Sequence, residues 1–218
     1  MRTRALLIFG VGAVTASLLL GIAGVASGWT SGWSMNMPGG MMGSVFSGGG
    51  RDIGMDRAVK IAEDVAASYP TGGLAADEVI EFSNNYYASI REKSTGIGAF
   101  EILIDRSSGT VVREPGPDMM WNVKYSMMRG GMMGGFGFSG SGPMTVTAQQ
   151  AQDIAQRWLD ANQPGTSANP PDPFYGYYTV DFQTNGKLVG MLSVNGYSGQ
   201  VWYHTWHGSF IAMRDLGA

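Results

Sequence analysis

Cysteine is absent from all 218 residues. Its absence removes disulfides, thiolate metal sites and cysteine nucleophiles together, and says nothing about redox compartment. Charge is scarce as well, at 14% of the chain with a net value of −3. Residues 55–118 carry six Lys/Arg against eleven Asp/Glu, and residues 143–218 three against five. No basic face is available to meet a phosphate backbone, so nucleic acid is not an expected partner. Histidine occurs twice, at His204 and His207. Serine and aspartate are plentiful, but no nucleophile elbow or other local catalytic signature accompanies them, so the chain reads as non-enzymatic. The acidic side chains Glu63, Asp64, Asp77, Glu78 and Glu81 read as a solvated face.

What the chain has in excess is glycine, with 34 residues, and methionine, with 15. Residues 119–142 hold three Met–Met pairs, Met119/Met120, Met127/Met128 and Met132/Met133, followed by a run of Gly and Ser. A shorter stretch of the same texture carries Met35, Met37, Met41 and Met42. Thioether sulfur is a soft neutral ligand suited to Cu(I), so these methionines are candidate copper ligands. The other reading is an adaptable apolar linker. His204 and His207 are candidate metal ligands by their i, i+3 spacing. On a strand such residues point to opposite faces, so they converge only where the chain bends. Otherwise they belong to an aromatic strand end.

Taken in order, residues 1–27 contain an uncharged apolar run, 5–26, behind Arg2 and Arg4. That run is long enough to cross a bilayer, which needs ~20 helical residues. The flanking arginines place the N-terminus in the cytoplasm and the rest of the chain outside. A cleaved signal peptide is the alternative, and it also leaves the bulk of the chain extracytoplasmic, then as a secreted protein. Residues 28–54 form a Gly/Met-rich spacer in which Trp29 and Trp33 suit a membrane interface. Residues 55–118 open with a helix whose apolar face is Ala58, Ile61, Ala62, Val65 and Tyr69, stopped by Pro70. Strands are expected over 79–82, 86–90, 98–104 and 110–112. After the Met/Gly-rich linker 119–142, residues 143–218 repeat the plan. Thr147 caps a helix with Ala151, Ile154, Ala155, Trp158 and Leu159 on one face. Residues 169–173 read as an extended link, and strands follow over 175–182, 188–194 and 200–204, with Asn185-Gly186 as a hairpin turn.

The two stretches match in detail. Ala58–Ile61–Ala62 aligns with Ala151–Ile154–Ala155, Tyr86-Tyr87 with Tyr177-Tyr178, and Asp105-x-x-Ser-Gly with Asn195-x-x-Ser-Gly. A spacing of ~90 residues points to duplicated domains, not a solenoid with its ~20–50-residue repeats. A helix with A-x-x-I-A, a Pro/Gly stop, a strand meander and a closing D/N-x-x-[ST]-G-x-V strand resembles the PepSY domain family. The resemblance covers residues 55–113 and 144–203. It implies an α+β chain of two tandem cystatin-like domains, each a helix across a small antiparallel sheet. It also implies a non-enzymatic binding or regulatory role at the cell envelope, with a partner protein that is often a protease. Two departures from the family pattern are the polar stretches 83–85 and 91–96 and the histidine-bearing aromatic tail. Because each copy carries its own helix face and strands, residues 144–218 are expected to fold alone.

Overall fold

The structure is a computed structural model that describes residues 50–70, 72–126 and 142–217. The expected anchor, both spacer tryptophans, and Met35, Met37, Met41, Met42, Met127, Met128, Met132 and Met133 lie outside the described residues. Among the described residues, no helix is long and apolar enough to cross a membrane.

Helix α1 (Met55–Ser68) buries Ala58, Ala62 and Ala66, the positions that a 3.6-residue period stacks on one face. Ile61, Val65 and Tyr69 flank that stripe and pack on the same core. The antiparallel meander β1 (Leu74–Phe82), β2 (Tyr86–Glu92), β3 (Gly98–Ile104) and β4 (Val111–Arg113) follows. A short helix, α2 (Pro117–Met120), closes this half. The second half opens with α3 (Ala148–Asn162). Thr147 accepts from Gln150 N–H while the Gln150 side chain accepts from Thr147 N–H, a reciprocal capping box. Strands β5 (Ser167–Ala168), β6 (Asp172–Phe174), β7 (Tyr177–Thr184), β8 (Lys187–Asn195), β9 (Val201–Tyr203) and β10 (Phe210–Asp215) complete the chain. Asn185 and Gly186 both take positive φ, 52° and 77°, as a two-residue hairpin turn requires.

The fold is α+β, with all ten strands in one mixed sheet of order β10-β1-β2-β3-β6-β7-β8-β9, β4 lying beside β3 and β5 beside β7. The linker at 119–142 therefore does not divide the sheet. A parallel bridge, Gly98 with Phe174, joins the halves in the middle. At the far end, β10 returns to pair with β1. The "link" at 169–173 enters β6, and β10 lies beyond the last strand read from the sequence, so neither strand is expected from it.

Burial shows why the halves stay together. One face of the first meander packs under α1 through Val79, Tyr86, Ala88, Ile90, Phe100, Ile102 and Ile104. One face of the second packs under α3 through Tyr178, Val180, Phe182, Leu192 and Val194. The opposite faces meet each other: Ile80, Phe82, Tyr87 and Leu103 pack on Leu188 and Met191. All seven residues of β3 are buried, as a strand covered on both faces must be. A helix, a sheet layer, a second sheet layer and a helix are thus stacked, with a seam between the two inner faces.

Candidate functional site

The seam is apolar at one end and polar at the other. Along β2, β3, β7 and β8 the inward positions alternate with core residues and include Tyr87, Ser89, Glu101, Tyr177, Thr179 and Ser193, all buried. Glu101 accepts from Tyr87 OH (2.6 Å), Thr179 Oγ1 (2.7 Å) and Tyr177 OH (2.7 Å). Asp118, on α2, accepts from Arg113 Nε at 2.6 Å and from Glu101 N–H at 3.3 Å. Asn122 fixes the end of that helix by donating to Ala99 O at 2.7 Å.

Glu114 follows β4 and is fully buried, with its N–H donating to Glu101 O. Opposite it stand the two histidines. The chain leaves β9 at Tyr203, one residue before His204, and turns through Trp206 and His207 before β10. That bend defeats the strand alternation and brings both imidazoles to one side. Gly208 permits it, with φ 79° and no room for a Cβ against Ser83 and Asn84. Asn84 and Asn85 each donate to Trp206 O, and His204 N–H donates to Met191 O. The result is a compact triangle: Glu114 Oε1 lies 3.3 Å from His204 Nδ1 and 3.1 Å from His207 Nε2, and the two nitrogens are 3.4 Å apart. Trp206 Nε1 also donates to Glu114 Oε1 at 3.1 Å. Trp206 stacks on His204 at 4.8 Å and Phe82 on His207 at 4.4 Å, with Tyr87 edge-on to His207. Among the described residues, methionine sulfur is not one of these partners. Met119 and Met120 sit on α2, the first half-buried and the second 36% exposed.

Electrostatics follow from this enclosure. Burial, and then the neighbouring Glu114 and Asp118, push the Glu101 carboxyl well above the usual range. Burial likewise raises Asp118 to about 6, with Arg113 pulling the other way. Tyr87 and Tyr177 are raised by burial and by Glu101. Burial lowers His207. Burial alone would raise Glu114, but contact with His204 and His207 holds it well below the usual range.

The sequence analysis singled out His204 and His207 but not Glu114. A Glu immediately after a short strand carries no local mark, and its burial depends on the second half closing over it. No family model matches the chain, and no curated protein matches it. Among solved structures, the C-terminal domain of Bacillus megaterium YpeB aligns over 70% of this chain and 62% of its own length, with 13% sequence identity and a TM-score of 0.25.

Proposed function

We propose that the chain is a non-enzymatic binding or regulatory module on the outer side of a cell membrane, built from two PepSY-like halves. The observation that carries this reading is a repeated lock between helix and closing turn. In the first half Asp105 Oδ1 accepts from the N–H groups of Ser107 and Ser108, Gly109 takes φ 74°, and the Ile61 methyl sits against Gly109. In the second, Asn195 Oδ1 accepts from Tyr197 and Ser198, Gly199 takes φ 71°, and Ile154 sits against Gly199. The same Asx-type turn, positive-φ glycine and helix isoleucine recur where the two sequences align. Repetition at that depth supports duplication of one unit, and the unit is the one the PepSY motif describes.

The test is carried out on the full chain in its own cells. A photo-reactive residue at exposed Val189 or Ile211, with a C-terminal tag, should give a discrete crosslinked partner, and protease added outside should remove the tag. A tag protected in intact cells, or no adduct from either position, rejects the reading. A second reading is soft-metal handling through the methionine segments, whose thioether sulfur suits Cu(I). Replacing Met127, Met128, Met132 and Met133 by Leu removes sulfur while keeping apolar volume. Loss of Cu(I) uptake in that variant is expected if the cluster binds copper, and equal uptake rejects it.

A further inference from the structure

The geometry points to a divalent-metal centre formed by Glu114, His204 and His207, of the nitrogen/oxygen type that takes zinc-class ions, and independent of the methionine segments. Three observations converge on it.

The first is the donor triangle. Its edges are 3.1, 3.3 and 3.4 Å. A tetrahedral ion bonded at ~2.0–2.1 Å to His and carboxylate ligands needs donor-to-donor edges of about 3.3–3.4 Å. The three atoms already stand where such an ion would hold them.

The second is the direction of the surrounding hydrogen bonds. Asn85 Nδ2 donates to Trp206 O, which turns Asn85 Oδ1 toward His207 Nδ1 at 3.1 Å. Nδ1 must then carry the ring proton, leaving Nε2 with a lone pair aimed into the triangle. On the other ring, His204 Nε2 lies 3.0 Å from Ser193 Oγ. Thr179 gives its single proton to Glu101, and the arrangement that satisfies all three groups has Ser193 donating to Thr179 across 3.4 Å and accepting from His204 Nε2. His204 Nδ1 therefore also presents a lone pair. With both rings neutral, two imidazole lone pairs and a carboxylate oxygen face one another, and a cation between them relieves their repulsion. This outer ring of acceptors is the arrangement that orients metal-bound histidines.

The third is charge and saturation. Glu101, Glu114 and Asp118 are all fully buried, and among the described residues the one cation hydrogen-bonded to them is Arg113. Glu114 Oε2 is buried without a hydrogen-bond partner. A buried carboxylate oxygen in that state calls for a ligand. A zinc-class ion takes imidazole nitrogen and carboxylate oxygen, the donors present here, whereas Cu(I) prefers sulfur.

The centre is closed. Trp206 and Phe82 cover the two rings, and the histidines are 4% and 2% exposed, so no position faces solvent for a substrate and the buried Glu114 Oε2 is left as the fourth donor. Glu114 belongs to the first half and both histidines to the segment after β9, so the ion would bridge the halves as a structural centre.

The test uses the full chain in detergent, stripped with chelator and then titrated with Co²⁺ and Zn²⁺. One ion per chain is expected, with the intense visible bands of tetrahedral Co²⁺, their loss on adding Zn²⁺, and a higher melting temperature when loaded. Glu114→Gln keeps the side-chain shape and the Trp206 acceptor, and should weaken affinity at least tenfold. X-ray absorption of the zinc-loaded parent supplies a readout that needs no variant, and two imidazoles with no sulfur are expected. A folded parent that takes up neither ion overturns the centre. So does a sulfur shell, or affinity unchanged in Glu114→Gln.

Discussion

Gly176 and Glu92 show how single side chains hold the two halves in register. Gly176 takes φ 107°, and a Cβ there would fall against the Trp121 carbonyl oxygen, which is backbone and cannot swing aside. Gly186 takes φ 77° in open space. Left-handed backbone alone costs ~1–2 kcal/mol for a residue with a Cβ. Gly186→Ala should therefore lose about 1 kcal/mol and Gly176→Ala about 3 kcal/mol or more, measured as denaturation midpoints on the same chain. Similar losses at the two positions would contradict this account of the contact. Glu92 gathers Lys124, Tyr125, Tyr175 and Thr95 around one buried carboxylate, with Tyr175 reaching over from the second half. Burial alone would raise its pKa, but those four donors outweigh it and bring it down from 4.5 to about 2. Its contribution is therefore complete above pH 4.5 and is lost as pH falls toward 2. At most that is about 3 kcal/mol, at 1.36 kcal/mol per unit. Glu92→Gln should flatten the stability profile in this window. An unchanged acid limb in the variant would place the loss elsewhere. Neither role is legible in the sequence, because the Trp121 carbonyl meets Gly176, and Tyr175 meets Glu92, from the other half of the chain.

Elements were far more legible than their partners. The helical period named the faces of α1 and α3: Ala58, Ala62, Ala151, Ala155 and Leu159 are buried, and Ile61, Val65, Tyr69, Ile154 and Trp158 pack partly buried beside them. Strand β3 begins and ends where its β-branched and aromatic run does. The departures have physical causes. β1 starts at Leu74, five residues before the expected strand, because Leu74, Ala75 and Ala76 are held by pairing with β2 and not by intrinsic propensity. Alternating polar residues on β2, β3, β7 and β8 carry no local mark of burial, and they point into a seam that only tertiary closure creates. On α3 the same pattern placed Trp158 and Leu159 on one face without ranking them. Leu159 is fully buried, whereas Trp158 is half-buried and stacks on Tyr203 at 5.4 Å. Leu159→Ala should thus cost about 2–5 kcal/mol, as buried Leu truncations do. Trp158→Ala should cost less than a fully buried tryptophan, for which about 3–5 kcal/mol is usual. The order of the two midpoints checks this, and a larger loss at Trp158 would mean that the stack on Tyr203 carries the helix.

At the scale of the molecule, the question is whether the second half can stand alone, as its sequence invites one to expect. The structure gives three reasons against it. Removing the first half bares Met191, Tyr177 and Phe174, which are buried in the shared clusters. It also strips the seam's hydroxyls of their acceptor, since Thr179 and Tyr177 both donate to Glu101 of the other half. A buried hydroxyl that loses its partner costs ~1–3 kcal/mol. Finally, β10 loses β1, the strand it pairs with. A unit of about 75 residues has little margin for such losses, because small domains bury only ~60% of their surface. A fragment of residues 144–218 should therefore keep helical circular dichroism but bind a hydrophobic dye and melt without a cooperative transition. The whole chain should melt once, with calorimetric and van't Hoff enthalpies equal. A fragment that unfolds sharply, or two transitions in the whole chain, would show that the seam is a contact between finished domains instead of a core they share.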